Sequence, residues 1–209
     1  MIIASVRTCS WRWNSFCAVR RNFERLEFPF PLRTFQTAEA EDDPPVNSRL
    51  TARMALAYCE KHLPDEPDSW ALFLEDDVFL YEALRDHLDW LVEYGTAQGV
   101  DCWLLCNRKN PVTRQFCENG LVINELGWPI LGSHALLLPK RHLAPMLVRH
   151  WKHPCDAEMF RAIRHSEMRV WQVIHPVLAE HRGEFSTFNP TQRRKLEINH
   201  ADSPNPCAA

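Results

Sequence analysis

The sequence predicts an α/β fold: a mixed, mostly parallel central sheet flanked by helices. Three observations predict it. Short apolar runs alternate with longer helical patterns along most of the chain. The run Trp70-Ala71-Leu72-Phe73-Leu74 has no polar residue, as a strand covered on both faces requires. The 209 residues, 45% of them hydrophobic, suffice for one domain with a sizeable core. The expected organisation is a single domain over 1–187 and a poorly ordered polar tail over 188–209, interrupted by Pro190, Pro204 and Pro206.

Each element follows from local pattern. Residues 1–6 form a buried strand that stops at Arg7-Thr8. Residues 11–24 form a helix, and 32–36 a second strand after Pro29 and Pro31. The acidic stretch 38–47, with Pro44-Pro45, reads as a loop. Residues 48–62 read as a helix capped by Ser48, with Leu50, Met54, Leu56 and Ala57 as its apolar stripe. After the break at Pro64 comes the dry strand 70–74, and then a helix over 81–94 that Gly95 ends. Residues 101–106 form a buried strand, and the polar stretch 107–119 with Pro111 a surface loop. Short strands are expected at 121–124 and 133–138, with a helix opening at Pro139 and running towards Trp151. A short helix over 155–164 and a late strand over 169–174 complete the pattern.

Composition narrows the function. A net charge of -3 gives no electrostatic case for nucleic acid or an anionic membrane. No stretch approaches the roughly 20 apolar residues of a transmembrane helix, and none reads as a secretory signal. The 8 cysteines are scattered, so the expectation is a cytoplasmic chain with reduced thiols. Cys102 and Cys106, four apart on one strand, are expected to face the same way. His150, His153 and Cys155 lack the spacing of a structural zinc site. Ser133-His134 lies in no Gly-x-Ser-x-Gly elbow.

The chemistry concentrates in Glu75-Asp76-Asp77, which follow the dry strand directly. Adjacent carboxylates repel, and a divalent cation relieves that repulsion. Hard oxygen ligands favour magnesium, manganese or calcium over zinc. In open α/β sheets ligands bind beyond the carboxyl ends of strands, where these acids fall. The alternative is that they cap the helix that follows.

Leu74-Glu75-Asp76-Asp77-Val78 resembles the Leu-Glu-Asp-Asp-Val signature of the lipooligosaccharide and procollagen galactosyltransferase-like family, glycosyltransferase family 25. Other pieces fall in that family's order. Leu50 to Cys59 matches its helix ahead of the acidic strand. Gly132-Ser133-His134-Ala135-Leu136-Leu137-Leu138 is similar to its small-residue apolar strand. Pro154-Cys155-Asp156 resembles its Pro-x-Asp turn, and His175 to His181 with Ser186 its closing segment. The resemblance implies an A-type glycosyltransferase fold and a catalytic domain over 1–187. It implies a manganese or magnesium cofactor, a nucleotide-diphosphate sugar donor and a carbohydrate or other hydroxyl acceptor.

The resemblance also implies roles. Asp77 binds the metal, Glu75 and Asp76 hold a metal-bound water or the ribose, and His181 is a further metal ligand or else a surface histidine. Asp156, with Glu158 two residues on, is the candidate base for the acceptor hydroxyl, or else a helix cap. Ser5, Arg7 and Thr8 end the first strand, where an A-type fold places the nucleotide. Arg49 and Arg53 share a helix face and can meet nucleotide or the acids. Independently of the resemblance, Asn107 and Arg108 at the end of the 101–106 strand can meet the acceptor, and Trp128 beside Gly127 and Pro129 either packs within its loop or stacks on a sugar. Two readings compete with sugar transfer: a non-catalytic metal or nucleotide-sugar binding module, and a metal-dependent phosphohydrolase.

Overall fold

The computed structural model describes residues 1–9, 13–37, 44–130, 134–152 and 155–182. The tail over 188–209, the segment 38–43, and Trp11, Gly132, Ser133, His153, Pro154, Ser186 and Cys207 lie outside the described residues. In chain order the elements are β1 (Ile2–Cys9), α1 (Trp13–Arg25), β2 (Leu32–Thr37), α2 (Pro44–His62), β3 (Trp70–Glu75), β4 (Val78–Leu80), α3 (Glu82–Gln98) and β5 (Cys102–Leu104). They continue with β6 (Val112–Glu118), β7 (Leu121–Leu126), β8 (Ala135–Pro139), α4 (Leu143–Leu147), α5 (Cys155–His165), β9 (Val170–His175) and β10 (Ala179–His181).

Eight strands make one sheet in the order β2-β1-β3-β8-β5-β9-β7-β6, and β4 and β10 make a separate ribbon. β1 is parallel to β2 and β3, and β5 to β9; β8 and β7 run against their neighbours. The sheet is therefore mixed and mostly parallel, with six strands pointing one way.

Because side chains alternate along a strand, β3 feeds two cores. Leu72 and Leu74 join α1 and α3 on one face, through Phe16, Val19, Leu84 and Leu88. Ala71 and Phe73 join α2, α4 and α5 on the other, through Ala55, Leu56, Met146 and Ile163. α1 and α2 thus cover opposite faces, and the winding reverses at β1. The carboxyl ends of β1 and β3 lie side by side at that reversal, the place where open α/β sheets bind ligands.

Several elements differ from expectation. Pro44 and Pro45 open α2 rather than lying in a loop, because a first-turn proline loses no intrahelical hydrogen bond. Ser48 is therefore inside the helix. The buried face of α2 is Thr51, Ala52, Ala55, Leu56 and Cys59, while Leu50 and Met54 are each 47% exposed. Small side chains on that face allow close approach to β1. Gly95 lies within α3, which ends at Gly99 in the left-handed conformation with φ 66°. The Trp103 indole N–H donates to the Leu91 carbonyl at 3.1 Å, which seats the ring against α3. A Cβ on Gly95 would lie 2.6 Å from Trp103 Nε1 and 3.1 Å from the Trp70 ring.

The polar stretch expected as a loop contains β6, an exposed edge strand paired with β7. Asn119 and Gly120 join them with φ 47° and 76°, the two left-handed residues of a tight hairpin, which Asn-Gly favours. Cys102 and Cys106 go to opposite cores, because β5 ends at Leu104 and the alternation breaks there. Cys17, Cys59, Cys102, Cys106, Cys117 and Cys155 are free thiols. Among the described residues no helix is long and apolar enough to cross a membrane.

Gly95→Ala should destabilise the fold by about 1–2 kcal/mol, overpacking against two indoles outweighing the helix propensity gained. Urea denaturation checks this; an unchanged midpoint would show that the indoles move aside at no cost.

Candidate metal site at the end of the central strand

β3 ends at Glu75, and Asp76 and Asp77 turn the chain into β4. Helix α3 starts only at Glu82, with no side-chain cap from Tyr81, so the acids do not cap it. The three carboxylates part. Asp76 is buried and accepts a hydrogen bond from Thr8 Oγ1 at 2.8 Å, which ties the turn to β1.

Glu75 has a neighbour on each side in the sheet. On β1 its register partner is Arg7, whose guanidinium pairs with Glu75 Oε1. Arg7 also donates to Ser48 Oγ of α2 at 3.3 Å and meets the Cys155 thiol at the start of α5. On the β8 side, the His134 carbonyl accepts the Glu75 N–H at 2.9 Å, and His134 Nδ1 lies 3.0 Å from Glu75 Oε2.

The β4–β10 ribbon supplies the rest. Its register sets His181 opposite Val78, and Arg182 N donates to the Asp77 carbonyl at 2.8 Å. His181 Nε2 then lies 3.2 Å from Asp77 Oδ2. The His134 and His181 rings stack with centroids 3.8 Å apart. Arg108 Nη2 reaches His134 Nε2 at 2.8 Å and His181 Nδ1 at 3.0 Å. The carbonyls of Cys106 and Arg108 both accept from Gln172 Nε2, at 2.9 and 3.0 Å, which fixes this segment onto β9.

One ligand atom each from Glu75, Asp77, His134 and His181 lies within 4.8 Å of the others. The side chains are 12%, 6%, 14% and 25% exposed, so the group is sheltered and still reachable from solvent. Two carboxylates and two imidazoles are a donor set that fits a manganese-like ion. Burial pushes the Glu75 carboxyl upward, but the Arg7 guanidinium and the hydrogen bond from His134 outweigh it and hold the group well below the carboxylate range.

The structure brings Glu75, Asp77 and His181 together and adds His134, which no sequence motif marks as a ligand. The signal for it was its place immediately before the apolar run Ala135 to Leu138, at the tip of a strand. Arg7 and Thr8 brace the acids. Ser5 is buried in the sheet, its Oγ 3.5 Å from the Leu72 carbonyl, and does not reach the cluster. Arg53 donates to the Arg149 carbonyl at 2.9 Å and Arg49 to that of Lys152; both hold the segment between α4 and α5. Glu158 is buried and accepts the Lys152 N–H at 3.0 Å, facing the same segment. Asp156 is the second residue of α5, directly after Cys155, whose thiol meets Arg7. Asn107 and Trp128 are exposed.

Together, fold and site define a doubly wound α/β protein with an acid–histidine cluster at its winding reversal. No protein-family model and no characterised protein sequence matches the chain. Among solved structures it is similar to a glycosyltransferase involved in glycosylation of the major capsid of PBCV-1. The identity is 8% and the TM-score 0.48, over 94% of this chain and 99% of that one. It is similar also to the galactosyltransferase LgtC in complex with donor and acceptor sugar analogs, at 10% identity and a TM-score of 0.49, over 99% of this chain and 98% of that one.

The Glu75 ion pair should leave a pH signature. A carboxyl depressed in the folded state contributes its stability in full above its ordinary value of 4.5, and loses it as pH falls from there towards the folded-state value. In chelator, Glu75→Gln should be less stable than the parent at pH 7 by about 2 kcal/mol or more, since Arg7, only 15% exposed, loses its counter-charge. The gap should shrink below pH 4.5. Denaturation curves across pH would contradict this if the gap stayed constant.

Proposed function

We propose that the chain is a metal-dependent glycosyltransferase of the hexosyltransferase type. It moves a sugar from a nucleotide-diphosphate donor to a hydroxyl acceptor on a glycan or similar molecule. The observation that carries this reading is the cluster of Glu75, Asp77, His134 and His181 at the side-by-side ends of β1 and β3. A Mn2+ or Mg2+ ion bound there supplies Lewis-acid stabilisation of the negative charge that develops on the departing nucleoside diphosphate.

This chain's residues prepare that position. Asp77 and Glu75 hold the ion with the two histidines. Arg7 keeps Glu75 ionised and aimed, and the Thr8–Asp76 hydrogen bond fixes the turn that carries Asp77. Thr8 and Arg7 border the nucleotide's side of the site, at the end of β1. Asp156, the second residue of α5, is the base that takes the proton from the acceptor hydroxyl. Glu158 holds the approach to α5 through Lys152 rather than sharing that task.

Calorimetry with nucleoside diphosphates and Mn2+ tests the reading. The parent should bind one of them only with the metal present. Asp77→Asn should lose that binding while keeping its melting temperature in chelator, and equal affinity in mutant and parent refutes the assignment. Asp156→Asn should bind donor normally and transfer or hydrolyse it at least about a hundredfold more slowly, the usual scale of a general base. Metal-dependent binding with neither transfer nor donor hydrolysis in the parent would identify a binding module instead.

A further inference from the structure

We propose that Arg108 and a divalent ion exclude one another at this cluster, and that Arg108 turns to the donor's diphosphate once the ion has entered. The inference rests on the metal-dependent reading above and adds to it a coupling between ion and diphosphate. Arg108 Nη2 approaches both histidines at once, 2.8 Å from His134 Nε2 and 3.0 Å from His181 Nδ1. A guanidinium has only donors. Both ring nitrogens that face it are therefore acceptors, and in a neutral imidazole the hydrogen then sits on the other nitrogen. Those other nitrogens are His134 Nδ1, 3.0 Å from Glu75 Oε2, and His181 Nε2, 3.2 Å from Asp77 Oδ2. Each imidazole is satisfied on both sides: its N–H donates to a carboxylate and its lone pair accepts from Arg108.

A metal ion needs an imidazole lone pair. At the outer nitrogens, the ion takes the place that Arg108 Nη2 now holds. At the inner nitrogens, between rings and carboxylates, the hydrogens must move outward, where each N–H would then face an N–H of Arg108. Arg108 has to withdraw in either case. It is exposed, on the segment after β5, and has solvent to swing into. A freed guanidinium next to a dication is repelled by it. A diphosphate held by the same ion reverses that, because the planar fork of arginine matches paired phosphate oxygens. Ion and diphosphate then tighten each other's binding by the same factor.

Calorimetric titration of Mn2+ into the full chain, without and with inorganic pyrophosphate, tests this for the parent, Arg108→Ala and Arg108→Met. Association of Mn2+ with pyrophosphate in buffer is subtracted. Pyrophosphate serves as a probe that needs no choice of base. Without it, both variants should bind Mn2+ about fivefold or more tightly than the parent, since no hydrogen bond has to be given up. Pyrophosphate should then tighten Mn2+ binding to the parent about tenfold or more, and to the variants far less. Variants that bind Mn2+ alone no more tightly than the parent, or that keep the full pyrophosphate effect, overturn the role of Arg108 and leave the metal site standing. A parent that binds no Mn2+ under either condition overturns the metal site as well. Arg108→Met keeps the apolar length of the side chain and carries the comparison if the alanine variant does not fold.

Discussion

Two carboxylates, Glu75 and Asp77, offer oxygens within 4.8 Å of each other while almost shut off from water. Like charges so placed repel, and their burial removes the solvent that would screen them. The surrounding structure is organised to offset that cost. Arg7 reaches Glu75 from the next strand, and His134 and His181 give each acid a hydrogen-bond partner. Each compensating group comes from a different element, so the charge problem at the tip of one strand determines what β1, β8 and β10 must carry at theirs.

The sheet makes this supply possible. Arg7 and His134 flank Glu75 because β1 and β8 flank β3, one parallel to it and one antiparallel. Reversal of β8 is what sets the start of that strand, rather than its end, next to the acids. The small ribbon serves the same purpose for Asp77, since pairing with β4 sets His181 opposite Val78. α2 and α5 approach the same corner through Ser48 and Cys155.

How much of this was legible in the sequence depended on the length and exposure of each element. β3 was legible because a strand buried on both faces has no polar residue to confuse it, and its acids stood out against that background. The α/β alternation followed from the same kind of run. β4 and β10, at three residues each, are too short to show a period, so the ribbon that seats His181 left no local signal. β6 resembles a loop in sequence because an exposed edge strand carries mostly polar residues and only Phe116 packs inward, on Trp171; its Asn119-Gly120 turn is the remaining clue. Hydropathy does not mark the phase of α2, because its buried face uses Thr51, Ala52 and Ala55, where volume rather than hydropathy decides contact. His134 was in plain view beside an apolar strand. Only the antiparallel pairing of that strand gives it a role.

The His181–Asp77 contact spans 104 residues of chain. A nascent polypeptide that has laid down β1, β2 and β3 still lacks both imidazoles, His134 arriving with β8 and His181 only with β10. The cluster is completed only when the β10 segment is synthesised and folds back against β4, a late closure of a long loop. Interruption of synthesis before that segment would leave the group of Glu75, Asp77, His134 and His181 without its last member.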